Sequence, residues 1–148
     1  MPDTQLLISY DGSEDAQHAI DRAGALFPSQ SALVLTVWSA AALNPSLTWA
    51  GMADLQPTFD ALRDAAMRAA DDGVERAERA GLSARPLVVE AAGPIWHAIV
   101  RTADEHDVGV IVMGSRGLSG MKSMLLGSVS SGVVNNAHRP TLVVPPTE

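Results

Sequence analysis

The stretch that decides how this chain folds is MGSRGLSGMKSMLLGSVSSG, at residues 113–132. It contains five glycines, six serines and two basic residues, and it begins where the apolar run VGVIVM at 108–113 ends. Glycine and serine fill a core poorly, whereas glycine lets the backbone approach a ligand without a Cβ collision. Free backbone N–H groups of such a loop, and of a helix that follows it, attract phosphate oxygens. The stretch therefore favours a phosphate-binding loop between a strand and a helix, although a plain connector can have the same composition.

Outward from this loop, short apolar runs alternate with helical segments. Apolar spacing predicts helices from Ser13 to Phe27, from about 57 to 80, from about 94 onward, and over 128–137. Residues 39–57 have no clear period and predict a long loop or lid. The runs that predict strands are 6–9, 33–38, 85–90, 108–113 and 141–144. Because these runs are apolar throughout, they predict an α/β fold with a doubly wound parallel sheet and helices on both faces.

Length and composition limit the class of protein. The 148 residues suit a single domain over 1–148, and the net charge of −7 disfavours nucleic acid and anionic membranes as partners. No apolar run reaches the roughly 18 to 20 residues of a membrane span, and the N-terminus lacks a secretory signal pattern. The chain has no cysteine, which excludes disulfides and fits a reducing compartment. We therefore expect a cytoplasmic protein without a membrane partner.

Several kinds of chemistry lack support in the sequence. The four histidines show no metal-ligand spacing, and no G-x-S-x-G nucleophile motif occurs. The loop is not a Walker A sequence, because Met121 rather than glycine precedes Lys122, and no G-x-G-x-x-G is present. The sequence therefore predicts neither a catalytic residue set nor a protein metal site. The histidines are His18, His97, His106 and His138.

The spacing Gly114-x2-Gly117-x9-Gly127-Ser128 resembles the ATP-binding signature of the universal stress protein family. Its surroundings, VGVIVMGSRG and LLGSVSSGVVNNAHRPTLVVPP, are similar to that family's last strand-loop-helix-strand unit, and ISYDGSEDA is similar to its first strand and turn. The resemblance extends over 6–146 and is weakest over 39–57. It implies a five-stranded sheet of order 3-2-1-4-5. It also implies a homodimer through the last strand, at Thr141, Leu142, Val143 and Val144.

The same resemblance implies a nucleotide site. Asp11 would contact the nucleoside, and Val37 would lie against adenine. Two of the expected roles have alternatives in the residues themselves: Asp11 could instead cap the first helix, and Arg116 could be a solvated loop residue. Met113 and Gly114 would lie beside the nucleoside. The residues expected around the phosphates are Arg116, Gly117, Gly127, Ser128, Val129 and Ser130.

Three functions are compatible with these features. The first is a stress-response module that binds ATP, or ADP or AMP, with Mg²⁺ on the phosphates, and signals to a regulatory protein partner as a homodimer. The second is a weak ATPase or nucleotidyl transferase that uses the same site. The third is a dimeric scaffold that works without a nucleotide. The complete glycine spacing favours the first, and no residue stands out as a general base for the second.

Overall fold

The computed structural model describes residues 4–40, 56–116 and 126–147. Most of the predicted loop at 39–57 lies outside the described residues, as do Gly117, Lys122 and Trp49. Strands and helices alternate as the apolar runs predict, with boundaries shifted by one or two residues in most cases. The elements are β1 (Leu6–Ser9), α1 (Glu14–Leu26), β2 (Ser31–Trp38), α2 (Gln56–Arg79), β3 (Ser83–Glu90), α3 (Ile95–Glu105), β4 (Val110–Gly114), α4 (Ser128–Asn136) and β5 (Thr141–Val144).

The strands form one parallel sheet in the order β3-β2-β1-β4-β5, which confirms the predicted topology. In register, Leu6 of β1 lies opposite Ala32 of β2 on one side and Val110 of β4 on the other. The chain first adds β2 and β3 on one side of β1 and then β4 and β5 on the other. The winding direction therefore reverses between β1 and β4, and ligands of such sheets bind outside the strand C-termini at this point.

The core has two layers, one on each face of the sheet. Leu6 and Ile8 of β1 pack in the layer of α1 and α2, whereas Leu7 packs in the layer of α3 and α4. Both layers are fully buried at β1, which explains why the strands have apolar side chains at consecutive positions.

Helix α2 approaches the sheet closely because its inner face is made of small residues. A Cβ on Gly73 would lie 2.7 Å from Cγ1 of Val34, so only glycine fits there without movement. The buried stripe of α2 runs through Ala66, Ala70, Gly73 and Ala77. Gly81 ends the helix as predicted, with a φ of +96°.

Tyr10 fixes the backbone that leaves β1. Its ring lies against the backbone of α2 at Gly73, and its phenol donates a hydrogen bond of 2.6 Å to Oδ2 of Asp72. The carbonyl of Tyr10 accepts a second hydrogen bond of 2.8 Å from Oγ1 of Thr36. The next residue, Asp11, is therefore held at the end of β1 by bonds to β2 and to α2.

Candidate functional site

A cavity of about 340 Å³ lies at the carboxyl ends of β1, β2 and β4, where the winding direction reverses. Ligand cavities in proteins are typically of this volume or larger. Its walls come from the ends of these strands, from the first turn of α3 and from the start of α4. Parallel strands end at the same edge, and this brings together residues that are far apart in the sequence. The predicted residues on its walls are Asp11, Val37, Met113, Gly114, Arg116, Gly127, Ser128, Val129 and Ser130.

Of the predicted site residues, only Gly117 is absent from that set, and it lies outside the described residues. The cavity also includes residues that sequence reasoning missed. Ile95 was expected to face inward, but it is 38% exposed and lies on the cavity wall at the first turn of α3. The strand-Gly-Pro-helix pattern before it was an available signal, because it places the start of α3 at the same sheet edge. The other additions are Ser9, Tyr10, Ala16 and Ser115.

The turn between β1 and α1 is closed by its own side chains. Ser13 is the N-cap as predicted, and its Oγ accepts a hydrogen bond of 3.2 Å from the N–H of Ala16. Asp11 accepts a hydrogen bond of 3.0 Å from the N–H of Ser13, across Gly12 with its φ of +85°. Capping of α1 therefore belongs to Ser13. Asp11 belongs to the turn, and its exposed side chain lies at the cavity edge.

Helix α4 begins at the cavity. Its N-cap is Gly127, with φ of −71° and ψ of 171°, so the expectation that Ser128 is the cap was wrong and Ser128 is the first helical residue. The N–H groups of residues 128–130 precede the first intrahelical bond, which runs from Ser131 to the carbonyl of Gly127. These N–H groups carry the positive end of the helix dipole. Because the N–H groups of a helix point toward its N-terminus, these three donors point toward the cavity at which α4 begins.

The two serines of this turn have different roles. Ser128 is exposed, whereas Ser130 is 2% exposed and donates its hydroxyl proton to the carbonyl of Ser115, 2.7 Å away. The N–H of Gly127 donates to the same carbonyl at 2.7 Å. Both serines had been expected as hydroxyl donors to a ligand. Ser130 instead holds the start of α4 against the end of β4, which leaves Ser128 as the exposed hydroxyl.

Close packing, rather than a left-handed backbone, explains the glycines at this edge. A Cβ on Gly114 would lie 3.0 Å from the backbone carbonyl of Asp15, and a Cβ on Gly127 would lie 3.3 Å from the carbonyl oxygen of Ser115. Neither glycine has a positive φ, which had been one expected reason for their presence. Gly114 lets the first turn of α1 lie directly on the end of β4.

This contact also places Asp15 beside Arg116. Nε of Arg116 donates to Oδ2 of Asp15 at 3.0 Å, and the side chains of the two residues are 19% and 14% exposed. Arg116 is therefore neither a solvated loop residue nor an unpaired cation. Its charge is largely balanced by a carboxylate from another element, although Arg116 itself lies on the cavity wall.

The walls suit a ligand with an apolar ring at one end and an anion at the other. Val37, Ile95 and Met113 supply apolar surface, while the first turn of α4 supplies N–H groups and a hydroxyl. A nucleotide fits this distribution. Among the residues that the structure describes, no group of three histidine, aspartate or glutamate side chains is placed to hold a metal ion. A Mg²⁺ ion would therefore depend on the phosphates for most of its ligands.

A second groove, of about 640 Å³, lies between α2 and the edge strand β3. It includes the carboxylates of Asp71 and Glu90 and the guanidinium of Arg63. Its walls do not include a helix N-terminus within the described segments, and its net charge disfavours an anion. The smaller cavity at the strand ends is therefore the better candidate for a nucleotide.

A sequence profile described as the universal stress protein family matches residues 4–145 of the chain. The chain belongs to this family. It is 33% identical over 147 residues to the universal stress protein YxiE of Bacillus subtilis, which covers 95% of the chain and 97% of YxiE. It is 30% identical over 150 residues to the universal stress protein Rv1636 of Mycobacterium tuberculosis, with 94% of each protein covered.

Solved structures of family members share the fold. The structure of MJ0577, a universal stress protein of Methanocaldococcus jannaschii, has a TM-score of 0.74 and is 23% identical, with 100% of the chain and 99% of MJ0577 covered. A universal stress protein in complex with cAMP has a TM-score of 0.63 and 24% identity, covering 95% of the chain and 96% of that protein. The Archaeoglobus fulgidus protein in complex with dAMP has a TM-score of 0.66 and 17% identity, covering 97% and 98%. No helix in the described stretches is long and apolar enough to cross a membrane.

Proposed function

We propose that this chain is a stress-response module that binds an adenine nucleotide, ATP with Mg²⁺, in the cavity at the ends of β1, β2 and β4. The observation that carries the proposal is the convergence of Asp11, Val37, Met113 and the start of α4 on one cavity of nucleotide size. Two structural neighbours were solved with cAMP and with dAMP, which are both adenine nucleotides. This supports adenine as the base.

The chemistry of the walls suggests an orientation for the ligand. Val37 and Met113 pack against the base, and the exposed carboxylate of Asp11 accepts hydrogen bonds from ribose hydroxyls. The N–H groups of the first turn of α4 and the hydroxyl of Ser128 bind the phosphates. Gly114, Arg116, Gly117, Gly127, Val129 and Ser130 complete the proposed site, and AMP or ADP would use the same contacts with fewer phosphate oxygens.

We propose regulation rather than rapid hydrolysis as the role of the nucleotide. The ionisable side chains on the described walls are those of Tyr10, Asp11 and Arg116. Burial and the hydrogen bond to Asp72 raise the pKa of Tyr10 to about 12, so its phenol is a poor base at neutral pH. Asp11 is assigned to the ribose, so no other described side chain on the walls is a base for the γ-phosphate, and bound ATP would instead change the surface that a regulatory protein contacts. The chain contains no cysteine and ATP is a cytoplasmic ligand, so we propose this compartment.

We also propose a homodimer through β5, at Thr141, Leu142, Val143 and Val144. This strand is at the edge of the sheet, and its outer N–H and C=O groups can pair with a second strand. The N–H of Ile111 donates to the carbonyl of Pro140, and the N–H of Ser115 donates to the carbonyl of Val144. The backbone N–H and C=O groups of the even-numbered residues of β5 therefore point toward β4. The N–H groups of Thr141 and Val143 then face outward.

Calorimetry with Mg-ATP, ADP and AMP on the purified chain tests nucleotide binding. The test variant is Gly127→Val, whose side chain would enter the narrow space beside the carbonyl of Ser115 and displace the first turn of α4. The matched control is Gly93→Val, at a glycine outside the cavity walls with nothing within 4 Å of an added Cβ. We expect the control to bind like the wild type and Gly127→Val to lose at least tenfold in affinity. A wild-type chain that gives neither heat nor a thermal shift at millimolar nucleotide would refute the proposal.

Light scattering at micromolar concentration tests the dimer. Val143→Pro removes an outward-facing donor and should reduce the mass to that of a monomer. Because the Val143 side chain also packs partly against the core layer of α3 and α4, circular dichroism checks that the variant is folded. Leu142→Pro is the control, because it removes a donor to β4 and should destabilise the fold itself. A wild-type mass of one chain would exclude the β5 interface.

A further inference from the structure

Asp15 is a charged side chain that lies behind the cavity wall and has no part in the proposed nucleotide contacts. Its partner Arg116 is on the wall, whereas Asp15 is not. The bond between them joins Nε of Arg116 to Oδ2 of Asp15 at 3.0 Å. Arg116 uses its inner nitrogen for this bond, and no bond from its two outer guanidinium nitrogens to another described residue is seen.

The position of Asp15 is fixed by the fold rather than by the ion pair. It lies in the first turn of α1, and its backbone is in contact with Gly114 at the end of β4. Its side chain is 14% exposed, so the pair is poorly screened by solvent. The packing of α1 on β4 therefore holds the Asp15 backbone beside Arg116, and the negative charge of its carboxylate lies next to the cavity wall that Arg116 forms.

We propose that Asp15 sets how strongly the site responds to the phosphate charge of its ligand. This inference rests on the proposed nucleotide binding and assigns Asp15 as a positioning residue that acts through Arg116. By balancing the charge of Arg116, it reduces the gain in affinity from each added phosphate, so ATP does not exclude AMP. The site then senses the ratio of the two nucleotides rather than the presence of ATP alone.

The test compares Asp15→Asn with Glu14→Gln. Asparagine retains an oxygen that can accept the Nε bond, so the substitution removes mainly the charge. Glu14 is exposed in the same turn of the same helix, and its substitution changes the net charge and the helix N-terminus equally. Affinities for adenosine, AMP, ADP and ATP are measured by calorimetry in EDTA, so that the phosphate charge is not masked by Mg²⁺.

In Asp15→Asn we expect the affinity for adenosine to stay within about twofold, that for AMP to rise about threefold and that for ATP about tenfold. Glu14→Gln should change each of them by less than about twofold. In the background of Arg116→Gln, the effect of Asp15→Asn on the ratio of ATP to adenosine affinity should shrink to less than about threefold, because the partner is gone.

The outcomes separate this inference from the proposed function. If the wild type binds none of the four ligands in EDTA and no Mg-ATP either, both proposals fail. If it binds Mg-ATP but none of the four ligands in EDTA, the proposed function stands and the role of Asp15 is refuted. If the wild type and the variants bind adenine nucleotides but Asp15→Asn changes the ratio of ATP to adenosine affinity no more than Glu14→Gln does, nucleotide binding stands and the role of Asp15 is refuted. Circular dichroism checks the fold of each variant. If Asp15→Asn does not fold, Asp15→Ser is measured with the same expectation, and Asp15→Glu should retain the wild-type ratio.

Discussion

Helices α1 and α4 both begin at the same edge of the sheet, but their N-termini differ. At α1, the hydroxyl of Ser13 accepts from the backbone, and Glu14 and Asp15 place two carboxylates in the first turn. At α4, the cap is Gly127, and the first turn reads Ser-Val-Ser-Ser. In the described part of the chain, α4 has no side-chain cap. The buried hydroxyl of Ser130 bonds to the carbonyl of Ser115 instead.

From this difference we expect the start of α1 to contribute mainly to stability and the start of α4 mainly to ligand binding. The carboxylates of Glu14 and Asp15 offset the positive end of the α1 dipole, and this interaction stabilises the folded protein. Under the proposed function, the positive end of α4 would bind an anion, which a protein of net charge −7 can attract only through a local positive potential. Helix α3 also starts without a side-chain cap among the described residues, but it presents the apolar Ile95 to the cavity.

The largest expected effect comes from making α4 resemble α1. Ser128→Asp adds a carboxylate at the first helical position, where it stabilises the helix dipole and occupies the electrostatic place of a phosphate. We expect the affinity for Mg-ATP to fall about a hundredfold or more, while the melting temperature stays the same or rises. Calorimetry and a thermal melt of the same sample measure both.

Ser128→Asn is the control for this substitution, because it has the shape of the aspartate without its charge. It should lose less than about tenfold in affinity. Equal losses in the two variants would mean that shape rather than charge governs the start of α4, and the contrast with α1 would then have no electrostatic basis.

The sequence predicted the fold well because the central strands β1 and β4 are buried on both faces. Consecutive apolar side chains in β1 and β4 could be distinguished from the helical spacing of α1, and the alternation of the two implied parallel crossovers. The boundary errors are of two kinds: β2 and β3 begin two residues before the apolar run, at Ser31 and Ser83, whereas at β4 an apolar residue precedes the strand without belonging to it. Val108 is fully apolar and buried, yet β4 begins at Val110.

The candidate site was predicted less completely, since side-chain partners are set by tertiary packing. The glycine spacing located the loop, but it could not show that Gly114 makes room for Asp15 or that Asp15 then pairs with Arg116. Asp15 and Arg116 are 101 positions apart in the sequence, so their contact depends on the tertiary fold. Ser130 was likewise among the residues expected around the phosphates. Only the structure shows that its hydroxyl donates to the carbonyl of Ser115.

The second prediction concerns Tyr10, which precedes the turn before α1 and whose phenol is bonded within the protein to Asp72 of α2. Burial and the hydrogen bond to Asp72 raise the pKa of Tyr10 from 10.0 to about 12. The unfolded chain therefore loses the phenol proton first. The stability due to this shift is complete below pH 10 and is lost as the pH rises through 12. At about 1.4 kcal/mol for each unit of pKa difference, the full loss is about 3 kcal/mol, and about half of it is reached at pH 11.

Two measurements check this prediction. Tyr10 is the only tyrosine of the chain, so the tyrosinate absorbance band reports its pKa directly. Urea unfolding at pH 9 and pH 11 gives the change in stability, and Tyr10→Phe should abolish the part of it that belongs to the phenol. A midpoint near 10 in the folded protein would show that the phenol is neither buried nor bonded to Asp72 in solution.

The smallest expected effect is on the cap of α1. Ser13→Ala removes the acceptor for the N–H of Ala16 and should lower the free energy of unfolding by about 1 kcal/mol, measured by urea unfolding. The affinity for Mg-ATP should change by less than about twofold, because the N–H of Ser13 that bonds to Asp11 belongs to the backbone and survives the substitution. Ser13→Thr keeps a capping hydroxyl and should recover most of the stability. If Ser13→Ala instead weakens nucleotide binding as much as Ser128→Asn does, the two helix ends act as one unit, and the assignment of stability to α1 and ligand binding to α4 is wrong.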